Sequence, residues 1–247
     1  MKDRIIQFTQ LGKFGRFGNQ IFQYLFARAY AKKTNAVLEI PFWIGQKIFK
    51  NINHPTPSMK LLRTGLDEFP KDGKVNIDIF GYCQKQEFID ILSESKIREW
   101  LQFQDRWIEF FKNLKSVTVA HIRRGDYLNK YANIFCVVSK KSYYDTCDKF
   151  EVPRMYPEII WRSEEEQLKW RGLDDDLLFL PDFFEMIQCQ YLLRANSTFS
   201  FWAGFFNMTG KVYSPIVEGR LDECDVEFVE GNYPKIVGCN PDFIIAK

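Results

Sequence analysis

The chain has 247 residues, of which 46% are hydrophobic and 27% are charged, and its formal net charge is +2. This length and composition are typical of a folded globular protein with one large domain or two compact ones. The 34 basic and 32 acidic residues nearly balance and form no concentrated basic stripe, which argues against nucleic acid as a partner. No apolar stretch reaches about 18 residues, so no membrane-spanning helix is predicted.

The cysteines and the N-terminus bear on the compartment. Six cysteines occur without a CxxC pair, and the two histidines, His54 and His121, are far apart, so zinc has little to bind. We expect structural thiols in a reducing compartment, because a chain of this length does not need disulfides. Residues 1–7 lack the apolar core of a signal peptide. The predicted location is the cytoplasm, with any membrane contact peripheral.

Short apolar runs alternate with helical patterns along the chain. In the first half, strands are predicted at 5–9, 37–40 and 75–82, with a helix opening at Asn19, a surface excursion over 51–74 and a mostly helical stretch over 86–114. In the second half, strands are predicted at 117–122, 158–161, 177–180, 192–195 and 211–213, with helices at 139–149, 164–170, 182–191 and 197–206. Asp182 is the expected cap of the third of these helices.

This alternation of strands and helices predicts an α/β protein with parallel sheets. The elements form two sets, and the break between them falls near residue 115. We therefore predict domains at 1–115 and 116–247, as two Rossmann-like halves facing across a cleft. In such folds, ligands bind where the carboxyl ends of strands meet helix N-termini.

The glycine-rich loop Gly12 to Gln20 is the first of three strand-to-helix loops that could bind a ligand. Its glycines allow a tight turn, and the backbone at Gly18 can meet an anion or a sugar oxygen at the helix start. Asn19 and Gln20 add side-chain donors at the same place. A tight turn with Asn19 as the helix cap explains the pattern equally well.

The second loop is HIRRGD, His121 to Asp126, at the end of an apolar strand. Arginine binds phosphate through two parallel hydrogen bonds. Neighbouring residues on a strand point to opposite faces, so we expect one of Arg123 and Arg124 to meet the ligand and the other to pair with a carboxylate such as Asp126. The alternatives are a solvated strand end with a surface salt bridge, and a chance Arg-Gly-Asp adhesion triplet.

The third loop, ANSTFSF, joins a strand to a helix in a run of hydroxyl side chains. Asn196, Ser197, Thr198 and Ser200 present donors at a helix N-terminus, which is a standard place for phosphate. Helix capping alone is at least as good an explanation of this pattern.

In five segments the chain resembles the bacterial α-1,2-fucosyltransferases, inverting glycosyltransferases that use GDP-fucose. The segments are GRFGNQIFQY (15–24), FGYCQ (80–84), HIRRGDYL (121–128), SYYD (142–145) and NSTFSFWAGFFN (196–207). The first loop also looks like that of protein O-fucosyltransferases. The resemblance implies a GT-B-like fold, with the N-terminal half on the acceptor side and the C-terminal half binding GDP-fucose.

The resemblance also implies catalytic roles. Arg123 would grip the β-phosphate and stabilise the departing GDP, while His121 and Arg124 shape that site and Asp126 orients it. Asn19, with the backbone of Gly18, would sit near the fucose and the glycosidic oxygen. Asp126 and His121 are both candidates for the general base.

The remaining donor-binding residues lie at the two predicted helix starts: Gly18, Gln20, Asn196, Ser197, Thr198, Phe199 and Ser200. No cofactor is expected besides the donor substrate GDP-fucose. Arginine and helix N–H groups can stabilise a leaving diphosphate electrostatically without a metal ion. The expected acceptor is a galactose-like hydroxyl of a glycan, and O-antigen, exopolysaccharide and free oligosaccharide all remain open.

Two departures from the family pattern keep other functions open. Ser163–Glu164–Glu165 stands where family members carry Ser-Asp-Asp, and the region 150–176 is short. The alternatives are a non-catalytic nucleotide- or glycan-binding module and a glycosyltransferase with a different sugar donor. A metal-dependent enzyme could use Asp174–Asp175–Asp176 as a DxD motif, but these residues do not end an apolar strand, and we interpret them as a polar turn.

Overall fold

The computed structural model describes residues 4–65, 76–84, 92–129, 135–154, 159–163, 167–217 and 223–232. The chain divides into two compact units, Met1–Ile108 and Glu109–Lys247. Parts of the predicted strand at 75–82 and of the predicted helical segments at 86–114 and 164–170 lie outside the described residues. Across these ranges, no helix is long and apolar enough to cross a membrane.

The first unit is built on a four-stranded parallel sheet with the strand order β2-β1-β4-β3. Its strands are β1 (Ile5–Gln7), β2 (Val37–Glu39), β3 (Leu62–Gly65) and β4 (Ile77–Phe80). Its helices are α1 (Phe17–Lys33), α2 (Gly45–Ile48), α3 (Glu94–Trp100) and α4 (Asp105–Phe110), which ends just past the boundary between the units. The strand β3 lies inside the stretch predicted as a surface excursion, and two short helices stand in the stretch predicted as mostly helical.

The helix α1 begins two residues before the predicted start at Asn19. Arg16 is its extended N-cap residue and makes no side-chain cap hydrogen bond. Gly15, with φ of +77°, turns the chain directly before it, in a conformation that glycine adopts without steric cost. The alternative in which Asn19 caps the helix is therefore wrong, and Asn19 lies in the first helical turn.

The second unit contains a five-stranded sheet with the order β11-β9-β8-β5-β7. Its strands are β5 (Thr118–His121), β7 (Ile160–Arg162), β8 (Tyr191–Leu193), β9 (Lys211–Ile216) and β11 (Glu227–Glu230). All neighbours pair in parallel except β11, which runs antiparallel to β9. A separate parallel pair joins β6 (Val137–Val138) to β10 (Glu223–Cys224). The helices are α5 (Gly125–Leu128), α6 (Lys140–Lys149), α7 (Leu180–Gln188) and α8 (Thr198–Phe206).

The predicted strand at 177–180 is wrong. A short 3-10 helix, Asp175–Leu177, stands there and leads into α7. An apolar run of this length does not distinguish a buried strand from a buried helix, and Pro181 lies in the first turn of α7, where its missing N–H is tolerated.

Phe179 is the N-cap of α7, so Asp182 is not the cap. Asp182 instead accepts a hydrogen bond from the Leu168 backbone N–H at 2.7 Å.

The expectation of free thiols is wrong for two of the six cysteines. Cys136 and Cys224 form a disulfide across 88 residues of sequence, next to the β6–β10 pair. The strands bring the two residues together only in the folded chain, so the spacing of the cysteines in the sequence gave no indication of this bond. Cys83, Cys147 and Cys189 are free and buried, and Cys239 lies outside the described residues.

Candidate functional site

The glycine-rich loop of the first unit is fixed by amide side chains from α1. Gln20 Nε2 donates to the Gly15 carbonyl at 3.0 Å, and Gln23 Nε2 donates to the Phe14 carbonyl at 2.9 Å. A Cβ atom at Gly15 would lie 2.6 Å from Asn19 Nδ2, so this position requires glycine for steric reasons as well as for its backbone angle. The loop is therefore held close against the first turn of α1, with Gly18 buried and Asn19 half-buried.

The segment that follows β4 supports the same loop from the other side. The ring of Phe14 stacks on Phe80 and Tyr82 at centroid distances of 5.0 and 4.3 Å. Gln84 Nε2 donates to Asn19 Oδ1 at 2.6 Å. The resemblance segments at 15–24 and 80–84 thus meet in space, and the second of them orients the amide of Asn19.

In the second unit, the other two predicted loops lie side by side. The strands β5 and β8 pair in parallel with Ala120 opposite Leu193, so both end at the same edge of the sheet. Across that edge the His121 ring is 5.6 Å from the Phe199 ring, centroid to centroid. The structure therefore brings residues 121–126 and 194–199 together at the carboxyl edge of the sheet.

Each arginine of HIRRGD pairs with its own carboxylate. Arg123 forms an ion pair with Asp126, and its guanidinium lies 4.8 Å from the centre of the Tyr127 ring. Arg124 Nη2 donates to Glu223 Oε1 at 2.8 Å. The strand ends at His121, so both arginines follow it and the expected strand alternation does not apply to them. The arginine that pairs with Asp126 is Arg123, the same one to which the resemblance assigns the phosphate.

His121 is the last residue of β5 and is buried. Burial, together with the charges of Arg123 and Arg194, lowers the pKa of His121 to about 3, so its ring is neutral near pH 7. Its backbone carbonyl accepts a hydrogen bond from the Tyr143 hydroxyl at 2.9 Å. Among the described residues, His121 Nδ1 has no hydrogen-bond partner. A ring of such low basicity is a poor general base at neutral pH.

At the start of α8, several side chains predicted to bind the ligand make hydrogen bonds within the protein. Ser197 is the N-cap residue, and its hydroxyl accepts from the Phe199 backbone N–H at 3.3 Å. Ser200 Oγ donates to the Ala195 carbonyl at 3.2 Å, and Asn196 Nδ2 donates to the Cys136 carbonyl at 3.0 Å. The capping explanation is confirmed for Ser197. The helix start also carries the partial positive charge of a helix N-terminus, which suits an anion.

Comparison with known protein families identifies the family of this chain. The profile of glycosyl transferase family 11 matches residues 80–225, more than half of the chain. The chain belongs to glycosyl transferase family 11. The matched region includes FGYCQ, the paired arginines and the start of α8, and the resemblance found in the motifs is confirmed. No curated protein sequence matches the chain.

Solved structures share the fold of this family 11 chain at low sequence identity. The α-1,6-fucosyltransferase NodZ, co-crystallised with GDP, is 13% identical with a TM-score of 0.54, over 94% of this chain and 100% of that one. NodZ from Bradyrhizobium is 11% identical with a TM-score of 0.50, over 87% and 96%. POFUT1 in complex with GDP is 13% identical with a TM-score of 0.52, over 87% and 98%. The predicted α/β, GT-B-like fold class is confirmed.

Three residues that contact these loops were not among the predicted site residues, although one of them, Gln84, lies in the quoted segment FGYCQ. Arg194, which follows β8, is fully buried and donates to Asn232 Oδ1 at 2.9 Å. Glu223 pairs with Arg124, and Gln84 with Asn19. A signal existed for Arg194, because a charged residue directly after an apolar strand is the same feature that pointed to HIRRGD.

The acidic run Asp174–Asp175–Asp176 is exposed at the start of the short 3-10 helix before α7. This agrees with its interpretation as a polar turn. Within the described ranges, no three His, Cys, Asp or Glu side chains of this family 11 chain are grouped to hold a metal ion.

Proposed function

We propose that the protein transfers fucose from GDP-fucose to a galactose-like hydroxyl of a glycan, with inversion and without a metal ion. Membership of glycosyl transferase family 11 supports glycosyl transfer, and the motif resemblance supports fucose as the sugar. The observation that carries the donor assignment is the meeting of two arginines and a capped helix start at one sheet edge. Guanidinium groups and helix N–H groups are the protein groups that suit a diphosphate.

The reaction would be a single displacement. The oxygen of the acceptor hydroxyl forms a bond to C1 of fucose, while the bond from C1 to the β-phosphate oxygen breaks. The electron pair of that bond leaves with GDP, and the hydroxyl proton passes to a general base. Negative charge therefore grows on the β-phosphate in the transition state, and fixed cationic donors aimed at that oxygen accelerate the step.

Arg123 is the residue we assign to the departing β-phosphate. Its ion pair with Asp126 orients the guanidinium, and Glu223 does the same for Arg124. The N-terminus of α8 adds its partial positive charge at the same sheet edge. The second unit would thus bind the donor nucleotide, and the first unit, with Asn19 and Gly18 near the fucose, would serve the acceptor side.

Asp126 is the more accessible of the two candidates for the general base, but its ion pair with Arg123 would place it on the side of the leaving phosphate, whereas an inverting acceptor attacks from the opposite face. Its side chain is about a quarter exposed, at 24%, whereas His121 is buried and holds its proton only in strong acid. We therefore assign the Asp126 carboxylate to orienting Arg123 and name no general base.

The test is GDP release from GDP-fucose with a panel of β-galactoside acceptors in the presence of EDTA. We expect acceptor-dependent release, and its loss in Arg123→Ala with the fold retained. Arg98→Ala is the matched control, because Arg98 makes an exposed ion pair with Glu94 on α3 of the first unit. Tight GDP binding without release for any acceptor would favour a binding module, and release abolished by EDTA would show metal dependence.

A further inference from the structure

Gln84 is a buried amide that reaches a candidate catalytic residue 65 positions away in sequence. Its side chain is 1% exposed, and its Nε2 donates to Asn19 Oδ1 at 2.6 Å. Its own carbonyl oxygen, Oε1, is buried and has no hydrogen-bond partner among the described residues. Burying a polar oxygen without a partner costs stability, so the bond to Asn19 is the contact that fixes this amide.

The backbone leading to Gln84 adopts angles that side chains rarely accept. Gly81 has φ of +147° and Cys83 has φ of +56°. A non-glycine residue in the left-handed region is uncommon, and such strain persists where the surroundings impose it. Here the stacking of Phe14 on Phe80 and Tyr82 fixes the segment just before the strained residue. The chain thus holds Gln84 in one position against α1.

The hydrogen bond decides which end of the Asn19 amide faces the glycine-rich loop. An asparagine amide can present either its oxygen, an acceptor, or its NH2 group, a donor. Gln84 donates, so it selects the oxygen of Asn19 for itself. The NH2 group lies on the Gly15 side, where an added Cβ atom would be 2.6 Å from Nδ2.

We propose that Gln84 is a positioning residue for the transfer reaction: by donating to Asn19 Oδ1, it fixes the Asn19 amide with its NH2 group on the side of the glycine-rich loop. The inference rests on the proposed function, in which Asn19 lies near the fucose and the glycosidic oxygen. In this proposal Gln84 acts through Asn19 rather than on the substrate. It acts by preventing rotation of the Asn19 amide, which would present an oxygen where a hydrogen-bond donor is needed.

Gln84→Glu tests this through a pH profile. The ionised carboxylate of Glu cannot donate a hydrogen bond, so it favours the rotated orientation of the Asn19 amide. The protonated carboxyl has one O–H donor, which can bond to Asn19 Oδ1 and restore the wild-type orientation. Burial raises the pKa of a carboxyl, so the protonated form is accessible at mildly acidic pH. We expect kcat at pH 8 to fall about 100-fold, as for misplacement of a catalytic group, with the donor KM little changed. The ratio of variant to wild-type kcat then rises about tenfold per pH unit toward acid.

Gln104→Glu is the matched control, with the same charge change in the same unit. Gln104 donates to the backbone carbonyls of Gln46 and Phe49. We expect its kcat ratio to be flat with pH. A flat ratio for Gln84→Glu in an active wild-type background overturns the inference, and so does a wild-type kcat in Gln84→Leu. Absence of transfer by the wild type overturns the proposed function instead.

A readout that does not depend on activity keeps the inference testable if the wild type proves inactive. Protein labelled with 15N-asparagine reports the side-chain NH2 signals of Asn19, assigned with Asn19→Asp. We expect these signals to shift in Gln84→Leu and to stay in place in Gln104→Glu. Unchanged Asn19 signals in Gln84→Leu would show that Gln84 does not hold the amide.

Discussion

Loss of the disulfide between Cys136 and Cys224 should destabilise the protein strongly. The bond closes a loop of 88 residues, for which the chain-entropy relation gives about 4.6 kcal/mol at 25 °C. The entropy of unfolding is about 2.1 cal/mol/K per residue. The thermal midpoint should therefore fall by about 9 °C if the whole chain unfolds cooperatively, and by about 16 °C if the second unit unfolds alone. The perturbation is either reduction of the wild type or the double variant Cys136→Ser with Cys224→Ser.

The assay is thermal unfolding followed by circular dichroism, with and without a phosphine reductant. The oxidised wild type should melt highest, and the reduced wild type and the double variant should melt together below it. Cys147→Ser is the control for loss of a buried thiol, since Cys147 is free. Equal midpoints with and without reductant would refute the reasoning, as would a non-reducing peptide map without a cross-link between the two cysteines.

Three further predictions concern the candidate sites. Arg123→Ala should lower the rate of GDP release by about 100- to 1,000-fold, as for removal of one transition-state donor, and Arg123→Lys should restore only part of it, because lysine lacks the planar fork. Gly15→Ala should lower both the melting midpoint and kcat, since its φ is +77° and the new Cβ atom would displace Asn19; a wild-type kcat would contradict this. Burial lowers the pKa of His54 to about 4 and of His121 to about 3, so neither ring should titrate by NMR between about pH 8 and 5.5. The unfolded chain then binds protons that the folded chain does not, and these two groups should make stability fall as pH drops below about 6.5.

The sequence pattern predicted the fold where local signals were sufficient. Strands β1, β2 and β5 are short apolar runs bounded by polar residues, and they were found within two residues of their ends. The run at 177–180 was misassigned, because apolar length alone leaves helix and strand open. The antiparallel strand β11 was missed, since its four residues pair with β9 through contacts that the local pattern does not determine.

At the candidate sites, too, local features could be predicted from sequence and long-range contacts could not. The loops at 12–20, 121–126 and 196–200 could be found from sequence because a strand end followed by a helix start is a local feature. Their partners could not be found in this way. Glu223 is 99 residues from Arg124, and Gln84 is 65 residues from Asn19, so only the folded chain brings them together.

The ion pair of Arg123 with Asp126 differs from other pairs of similar spacing in its burial. Lys112 with Glu109 has the same i,i+3 spacing, but its side chains are 55% and 71% exposed, against 13% and 24% for Arg123 and Asp126. Exposed pairs contribute little, because water screens them. At this less hydrated sheet edge, the guanidinium has already been desolvated on folding, and the ion pair with Asp126 holds its orientation. A phosphate oxygen that binds the guanidinium alongside the carboxylate then gains a strong charge-assisted hydrogen bond without that desolvation cost, because a guanidinium carries five N–H donors. This is the physical reason for assigning the leaving group to Arg123.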